Sequence, residues 1–300
     1  MNKEIVLGTE GKLYDCLEGK QTLISDLLDG KGSVQLVDVS PRLCPEGYGP
    51  EFAMIRAARV SFSLGLKDPI SDEKLLRYLL VNYHTSPVEM SSCTFRLVVP
   101  KFVAIHFLRH RTGKFNEFSQ RYAEVPEEEN FYNPLEFKEG LRTGSKLNKQ
   151  SSEHINDDDT KSKLLSTMTK ANELTLEIRK LYHQMIDEGL AKEVARTYLP
   201  MGEYTTMYIQ MDLNNLTKML YLRADSHTQR ETVVIAQAMM DLVEPLFPIC
   251  IGFLKEKMTG FSLVESEISV LKGEKPIESI TSISEKKALR EKAGTLGIKL

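Results

Sequence analysis

Apolar and polar positions follow two different periods along the chain, and they predict a few strands and several longer helices. The β-branched run VQLVDVS at 34–40 predicts a first core strand, and SSCTFRLVVP at 91–100 alternates as a half-buried strand does. The elements do not alternate regularly between strand and helix, so the pattern favours an α+β fold. A long amphipathic helix is predicted by apolar residues that recur every three or four positions: Leu164, Met168, Ala171, Leu174, Ile178, Leu181 and Met185.

Helix start signals predict further helices between these elements. Ser71 is the expected N-cap of SDEKLLRYLLVNY, and Asp212 is the expected N-cap of LNNLTKMLYLR. Pro100 precedes a helix predicted over 101–111, and another is predicted over about 228–246.

Composition divides the chain into a central domain with flanking segments. We predict an N-terminal extension at 1–33, a central domain at 34–262 and a C-terminal tail at 263–300 that is partly helical around SEKKALREKA. Within the central domain, residues 139–160 are polar with almost no core formers, which predicts a solvated insertion.

Bulk properties exclude several classes of protein. The 300 residues carry a net charge of -3 and 41% hydrophobic residues, which is ordinary for a globular protein and argues against a dedicated nucleic-acid binder. No apolar run is long enough to span a membrane, and the first residues lack a secretory signal. The four cysteines form no CxxC pair or metal-ligand spacing, so we expect reduced thiols, no metal site and a cytoplasmic location.

The stretch FLRHRTGKFNEFSQRY at 107–122 combines several arginines with a histidine, a glutamate, a serine and aromatic rings. If the helix over 101–111 ends with Gly113 as its C′ residue, then His106, Arg109 and His110 share one helix face. The positive charge on that face is equally compatible with a solvated basic helix end, because the helix dipole favours cations there.

The segment NEFSQRY that follows has no helical signal. If it is extended, Glu117, Ser119 and Arg121 point the same way, so that a helix end and a strand start face one cleft. Arginine grips phosphate with two donors in a fixed geometry, and the cleft would suit an anion joined to a heteroaromatic ring.

Two other polar stretches have simple structural interpretations. NYHTSPVEM places His84, Ser86 and Glu89 beside a proline and is typical of a turn. YLRADSHTQRE places Arg223, Asp225, His227 and Arg230 within eight residues, which is typical of a local Arg–Asp salt bridge at a helix junction.

These stretches together resemble a known family. The triplet Arg109-His110-Arg111, seven residues and Ser119 form the RHRx7S signature of the flavin-dependent thymidylate synthases. Over about 34–260 the stretches RAARVSF, HTSPVEM, EVARTYLP and LRADSHTQRE also resemble that family, in the family's order. The longer form of the signature is matched at Asn116, Glu117, Ser119, Arg121 and Tyr122.

The resemblance implies both an activity and a fold. Family members methylate dUMP to dTMP, with methylenetetrahydrofolate as the carbon donor and with FAD, reduced by NADPH, as the hydride source. They are homotetramers with active sites at subunit interfaces, built on a central, mostly antiparallel sheet packed with long helices. The partners implied are dUMP, folate, NADPH and further copies of the chain, with no nucleic acid and no membrane.

The resemblance also assigns roles to residues. It implies that Arg223 is catalytic, because it would lie at the uracil edge and favour ionisation at N3 by lowering the pKa of that nitrogen. The implied dUMP ligands are His106, Arg109, Glu117, Phe118, Ser119, Gln120, Arg121, Arg196 and Arg223. The implied FAD ligands are Ser86, Arg109, His110, Arg111, Glu117, Asp212, Asn214 and Lys218.

Some positions depart from the family pattern. His106 stands where glutamine is common, and Asp212, Asn214 and Lys218 differ from the usual flavin-binding residues. An aspartate would repel a diphosphate, so we expect Asp212 to cap a helix or to bond to a ribose or adenine group. Lys114 also replaces a residue that is usually small. The alternative hypothesis is a non-catalytic nucleotide- or RNA-binding protein that uses the same basic cleft.

Overall fold

The computed structural model describes residues 13–60, 65–126, 130–145 and 152–300, apart from the side chain of Ser284. Part of the predicted extension, the end of RAARVSF and part of the polar insertion therefore lie outside the described residues.

The strands are β1 (Leu13–Asp15), β2 (Leu23–Leu27), β3 (Gly32–Ser40), β4 (Leu43–Pro45), β5 (Ser92–Pro100), β6 (Lys114–Glu117), β7 (Arg142–Gly144), β8 (Ser152–His154) and β9 (Tyr204–Asp212). The helices are α1 (Phe52–Ala58), α2 (Pro69–Val81), α3 (Lys101–Leu108), α4 (Asp158–Asp187), α5 (Lys192–Ala195), α6 (Leu213–Arg223), α7 (Arg230–Val243), α8 (Pro248–Thr259), α9 (Glu265–Leu271) and α10 (Ile283–Thr295). The 3₁₀ turns with both ends among the described residues include Ser86–Met90, Arg196–Tyr198 and Ile277–Ser279.

An antiparallel sheet with the strand order β2-β3-β5-β9-β6 organises the larger of two compact units, Met1–Phe253. β5 and β9 pair along their whole length, and Phe95, Leu97, Met207 and Ile209 of these strands are fully buried. Helix α7 contributes a buried apolar side to the same unit. The α+β fold with an antiparallel sheet and many helices is confirmed.

The second unit, Leu254–Leu300, includes the predicted tail. Helices α9 and α10 bury Val270 and Leu289 with Ile280 from the intervening segment, and Lys292 Nζ lies 2.7 Å from Glu267 Oε1. The tail is therefore more helical than the single predicted segment indicated. The domain boundaries themselves stay a prediction, although β2, from the region predicted as an extension, forms an edge of the central sheet.

Several helix ends differ from the predictions. Helix α2 begins at Pro69, because the side chain of Asp68, and not that of Ser71, accepts a hydrogen bond from the Ser71 backbone N–H. Helix α3 ends at Leu108 and helix α7 covers Arg230–Val243, so both are shorter than expected. The predicted cap at Asp212 is confirmed, since its Oδ1 accepts from the Asn215 N–H at 2.9 Å. No helix within the described ranges is long and apolar enough to cross a membrane.

Helix α4 is amphipathic as predicted, but its apolar stripe is open in the single chain. Leu174, Ile178 and Leu181 are 50%, 37% and 55% exposed. The buried residues of the helix are Arg179, which pairs with the carboxylate of Glu203, and Tyr182. Tyr182 packs with Val125 and Ala195, so the helix is anchored on one side by an ion pair and a small apolar cluster and leaves Leu174, Ile178 and Leu181 without cover.

Burial of Glu51 leads to a prediction about pH. The side chain is 5% exposed and accepts the Cys250 N–H at 2.8 Å. Burial is the main cause that raises its pKa from 4.5 to about 7. Between these two pH values the folded state holds a proton that the unfolded state has lost. The contribution of Glu51 to the free energy of unfolding is therefore complete below about pH 4.5 and is lost as pH rises through about 7.

We therefore expect Glu51→Gln to remove a pH-dependent loss of stability. The unfolding free energy of the wild type should fall by about 3 kcal/mol relative to the variant between about pH 4 and pH 8. Urea unfolding of both proteins at the two pH values measures this difference. Glu46→Gln, at an exposed glutamate nearby, is the matched control. An equal wild-type-to-variant difference at both pH values would contradict the prediction.

Candidate active site

Arg223 and His110 form a pair at the end of helix α6. Arg223 Nε donates a hydrogen bond to His110 Nε2 at 2.9 Å. Because a guanidinium keeps its protons, the accepting imidazole must be neutral, with its own proton on Nδ1. Burial, followed by the Arg223 charge, lowers the pKa of His110, which agrees with the neutral form. Burial also lowers the pKa of Arg223.

His106 on helix α3 lies in the electrostatic field of the same arginine. Its Nδ1 is 2.7 Å from Thr232 Oγ1. Burial is the largest cause that lowers the pKa of His106, Arg223 adds to it, and Glu231 opposes it. We call His106, His110 and Arg223 the Arg223 cluster. The expected local Arg–Asp salt bridge is not found among the described residues: Arg230 pairs with Glu139, and Asp225 accepts from the His227 backbone N–H.

The signature stretch differs from its predicted conformation. Helix α3 ends two residues before His110, and β6 ends at Glu117, so the residues from Ser119 to Arg121 form a turn and not a strand. Gly113 does not have the positive φ of a C′ residue. Instead, a Cβ there would lie 2.5 Å from Met211 Cε and 2.7 Å from Phe115 Cζ, so glycine leaves room for these two side chains.

Glu117 and the turn after it form a second group. Glu117 Oε1 accepts from Thr205 Oγ1 at 2.8 Å and lies 3.4 Å from Lys101 Nζ. Phe118 donates its N–H to Thr206 O at 2.9 Å, and this bond anchors the start of the turn.

The remainder of this turn offers donors to a ligand. Gln120 is 4% exposed, yet its Nε2 has no hydrogen-bond partner among the described residues. Arg121 Nε is 3.5 Å from Glu193 Oε2, and both side chains are more than half exposed. Arg196 begins a 3₁₀ turn shortly after Glu193, the residue that pairs with Arg121. A buried donor without a partner, adjacent in sequence to the exposed Arg121, fits a phosphate or a uracil carbonyl.

A third group lies where helix α6 begins. Asn214 Nδ2 donates to Glu89 Oε1 at 3.0 Å, which ties the helix to the 3₁₀ turn that begins with Ser86. Asp212 uses both carboxylate oxygens on Asn215, and Lys218 is exposed on the helix. The structure therefore assigns Asp212 to the helix cap.

Among the described residues, no side-chain hydrogen bond or ion pair joins a residue of one group to a residue of another. Arg109 and Arg111 are exposed and fit the phosphates of a dinucleotide such as FAD. The described residues contain no cluster of side chains that could hold a metal ion.

Sequence reasoning missed the hydroxyl groups that orient the acidic and imidazole side chains. Thr205 fixes Glu117 and Thr232 fixes His106, and neither threonine carries a local signal. Lys114, which departs from the family pattern, extends its Nζ to 3.4 Å from Gln210 Oε1 in the neighbouring strand β9. Its role is thus an exposed cross-strand contact.

Comparisons with known proteins agree on one family. A family model described as thymidylate synthase complementing protein matches residues 42–249. A flavin-dependent thymidylate synthase from Dictyostelium discoideum is 35% identical over 93% of this chain and 91% of the relative. Another from Wolbachia pipientis is 38% identical over 67% of this chain and 68% of the relative.

A solved structure adds a similarity in fold. It is a UMP/dUMP methylase, PolB from Streptomyces cacaoi, bound with 5-Br dUMP. It is 30% identical and has a TM-score of 0.61, and the match covers 75% of this chain and 95% of that one.

Proposed function

Because this chain belongs to the flavin-dependent thymidylate synthase family, we propose that it methylates dUMP to dTMP with methylenetetrahydrofolate as carbon donor, FAD as cofactor and NADPH as reductant. Membership in this family does not favour the alternative of a non-catalytic nucleotide- or RNA-binding protein. The four free, buried cysteines fit a reducing compartment, and we expect the enzyme to act in the cytoplasm.

The observation that carries the proposal is the uncompensated charge of Arg223. Its guanidinium is half-buried, and its hydrogen bond goes to a neutral imidazole. Among the described residues no carboxylate lies within ion-pair distance of it. A cation held in this way favours the anionic form of a bound ring, so Arg223 would lower the pKa of uracil N3 and make the ring more electron-rich.

The second group would bind the rest of dUMP. The Arg121–Glu193 pair is exposed and 3.5 Å long, so it contributes little and can yield to a phosphate. Arg196 would supply a second cation, and Ser119 and Gln120 would supply neutral donors. Glu117 and Phe118 are held by β9 and would fix the turn against the nucleotide.

The flavin would lie across the remaining groups. Reduced FAD supplies the hydride, while the protein binds and orients the reactants. Arg109 and Arg111 would bind its phosphates, and His110 would offer its Nδ1–H. Ser86, Asn214 and Lys218 would contact the flavin where α6 begins, whereas Asp212 would act through the helix cap.

A homotetramer with shared active sites is part of the proposal. No side-chain hydrogen bond or ion pair of the described residues joins two of the three groups, and helix α4 leaves its stripe of Leu174, Ile178 and Leu181 exposed. A second copy that covered this stripe would bury apolar surface and could bring groups from different chains together.

The decisive test is reconstitution of the reaction. We expect purified protein to show a flavin absorption spectrum and to form dTMP only when dUMP, methylenetetrahydrofolate and NADPH are all present. Omitting each component in turn is the control, and UMP is the comparison substrate. Colourless protein that does not take up FAD, or faster turnover of UMP than of dUMP, would contradict the proposal.

A further inference from the structure

The segment after Phe137 holds the first turn of helix α7. Glu139 Oε2 is 2.5 Å from Arg230 Nε, and Arg142 Nη2 is 2.5 Å from Glu231 Oε1. Arg142 begins β7 within the predicted polar insertion, so this part of the insertion is packed and not freely solvated. We call the two pairs, Glu139–Arg230 and Arg142–Glu231, the clasp.

The clasp is tightly built. Glu231 is 2% exposed, and Tyr132 donates its hydroxyl to the same carboxylate oxygen at 2.8 Å. The Arg142 guanidinium lies 5.9 Å from the centre of the Phe137 ring. A Cβ on Gly140 would come within 1.7 Å of Pro134 O, so the turn between the two pairs is closed to any larger residue.

The residue after Glu231 connects the clasp to the candidate active site. Thr232 is fully buried, and its hydroxyl lies 2.7 Å from His106 Nδ1. Any shift of the first turn of helix α7 therefore moves the partner that fixes the His106 ring. His106 in turn belongs to the Arg223 cluster.

We propose that the clasp positions His106 for dUMP recognition, with Arg142 and Glu231 acting through Thr232. The inference rests on the proposed function, in which His106 contacts dUMP. Arg142, Glu231 and Thr232 are positioning residues, because none of them is assigned to touch the substrate. The polar insertion thereby gains a role in substrate affinity.

The physical reason is pre-organisation. A ring held by one hydrogen bond has already lost the freedom that substrate binding would otherwise remove. Loss of that bond should weaken binding of dUMP about tenfold and leave the chemical step nearly unchanged. We therefore expect KM for dUMP to rise while kcat stays nearly the same.

The test compares variants at the contacts that lead from Arg142 through Thr232 to His106. We expect Thr232→Val and Arg142→Met to raise KM for dUMP about tenfold with kcat and FAD content nearly unchanged. Thr232→Ser and Arg142→Lys should recover most of the affinity, and the double variant Thr232→Val/Arg142→Met should be no worse than the more severe single one. Lys138→Met removes an exposed charge from the same segment and is the matched control.

Two measurements keep the inference separable from folding and from the proposed function. Arg142→Met leaves Glu231 buried without its cation and can unfold, whereas Thr232→Val introduces no buried charge. In folded Arg142→Met, amide hydrogen exchange over 230–236 should be faster than in Lys138→Met, whatever reaction the protein catalyses. Wild-type KM in folded Thr232→Val, or unchanged exchange in folded Arg142→Met, overturns the inference; failure of the wild type to form dTMP refutes the proposed function instead.

Discussion

Replacing Arg223 with alanine should remove most dTMP formation while flavin stays bound. The guanidinium is the half-buried cation of the Arg223 cluster, and its loss removes the charge that would favour ionisation at uracil N3. Removal of one pre-organised electrostatic group from an active site typically costs about 10²–10³ in rate, and we expect a loss of that size in kcat. Steady-state dTMP formation, together with the flavin absorbance of the purified variant, measures both parts of the prediction.

Two further variants make the result specific. Arg223→Lys keeps a charge but loses the planar donor geometry, so it should fall between alanine and the wild type. Arg290→Ala removes an exposed arginine from the C-terminal unit and should leave turnover unchanged. Turnover of Arg223→Ala at the wild-type rate would refute the role given to Arg223, and loss of flavin would show that the arginine acts on the cofactor site instead.

Local patterns predict the elements whose signals lie within a few residues. The strands β3 and β5, the cap at Asp212 and the apolar period of helix α4 are all confirmed. The strands depend on a period of two, the helix on a period of three to four, and the cap on a side chain that meets a backbone N–H three residues later. Such signals do not require knowledge of the tertiary fold.

Features that depend on distant partners lie beyond local reasoning. The sequence around Gly113 predicts a helix cap, but one of the two side chains that pack over Gly113 belongs to Met211, on another strand. Composition predicts a solvated insertion. This prediction fails at Arg142, because its buried partner, Glu231, lies far away in the sequence. A charged residue in a polar segment carries no local sign that it will be buried in an ion pair.

In the candidate site, too, some features follow from local sequence signals and others from distant partners. The residues of the Arg223 cluster come from separate motifs, and their grouping follows from the packing of α3 against α7 and of the RHR turn against the end of α6. Their family roles could be expected from the resemblance, and these roles stay predictions. The conformation of the turn from Ser119 to Arg121 could not be expected, because its backbone is set by the bond from Phe118 to Thr206 on β9.

Placing charge on the open stripe of helix α4 should dissociate the enzyme and abolish its activity. Leu174 and Leu181 are half-exposed in the single chain, and two lysines there would have to be desolvated in any interface that covers them. We expect Leu174→Lys/Leu181→Lys to migrate as a smaller species and to lose at least about 10²-fold in dTMP formation. Light scattering coupled to size exclusion gives the mass, and the same fractions give the activity.

The control for this double variant lies on the same helix. Ser162 and Ser166 are exposed on its polar side, so Ser162→Lys/Ser166→Lys adds equal charge without touching the stripe. It should keep the wild-type mass and rate. Because the proposal places residues from different chains in one active site, dissociation and inactivation should occur together. A monomeric Leu174→Lys/Leu181→Lys protein with full activity would show that one chain completes the site, and the proposal of shared active sites would then be wrong.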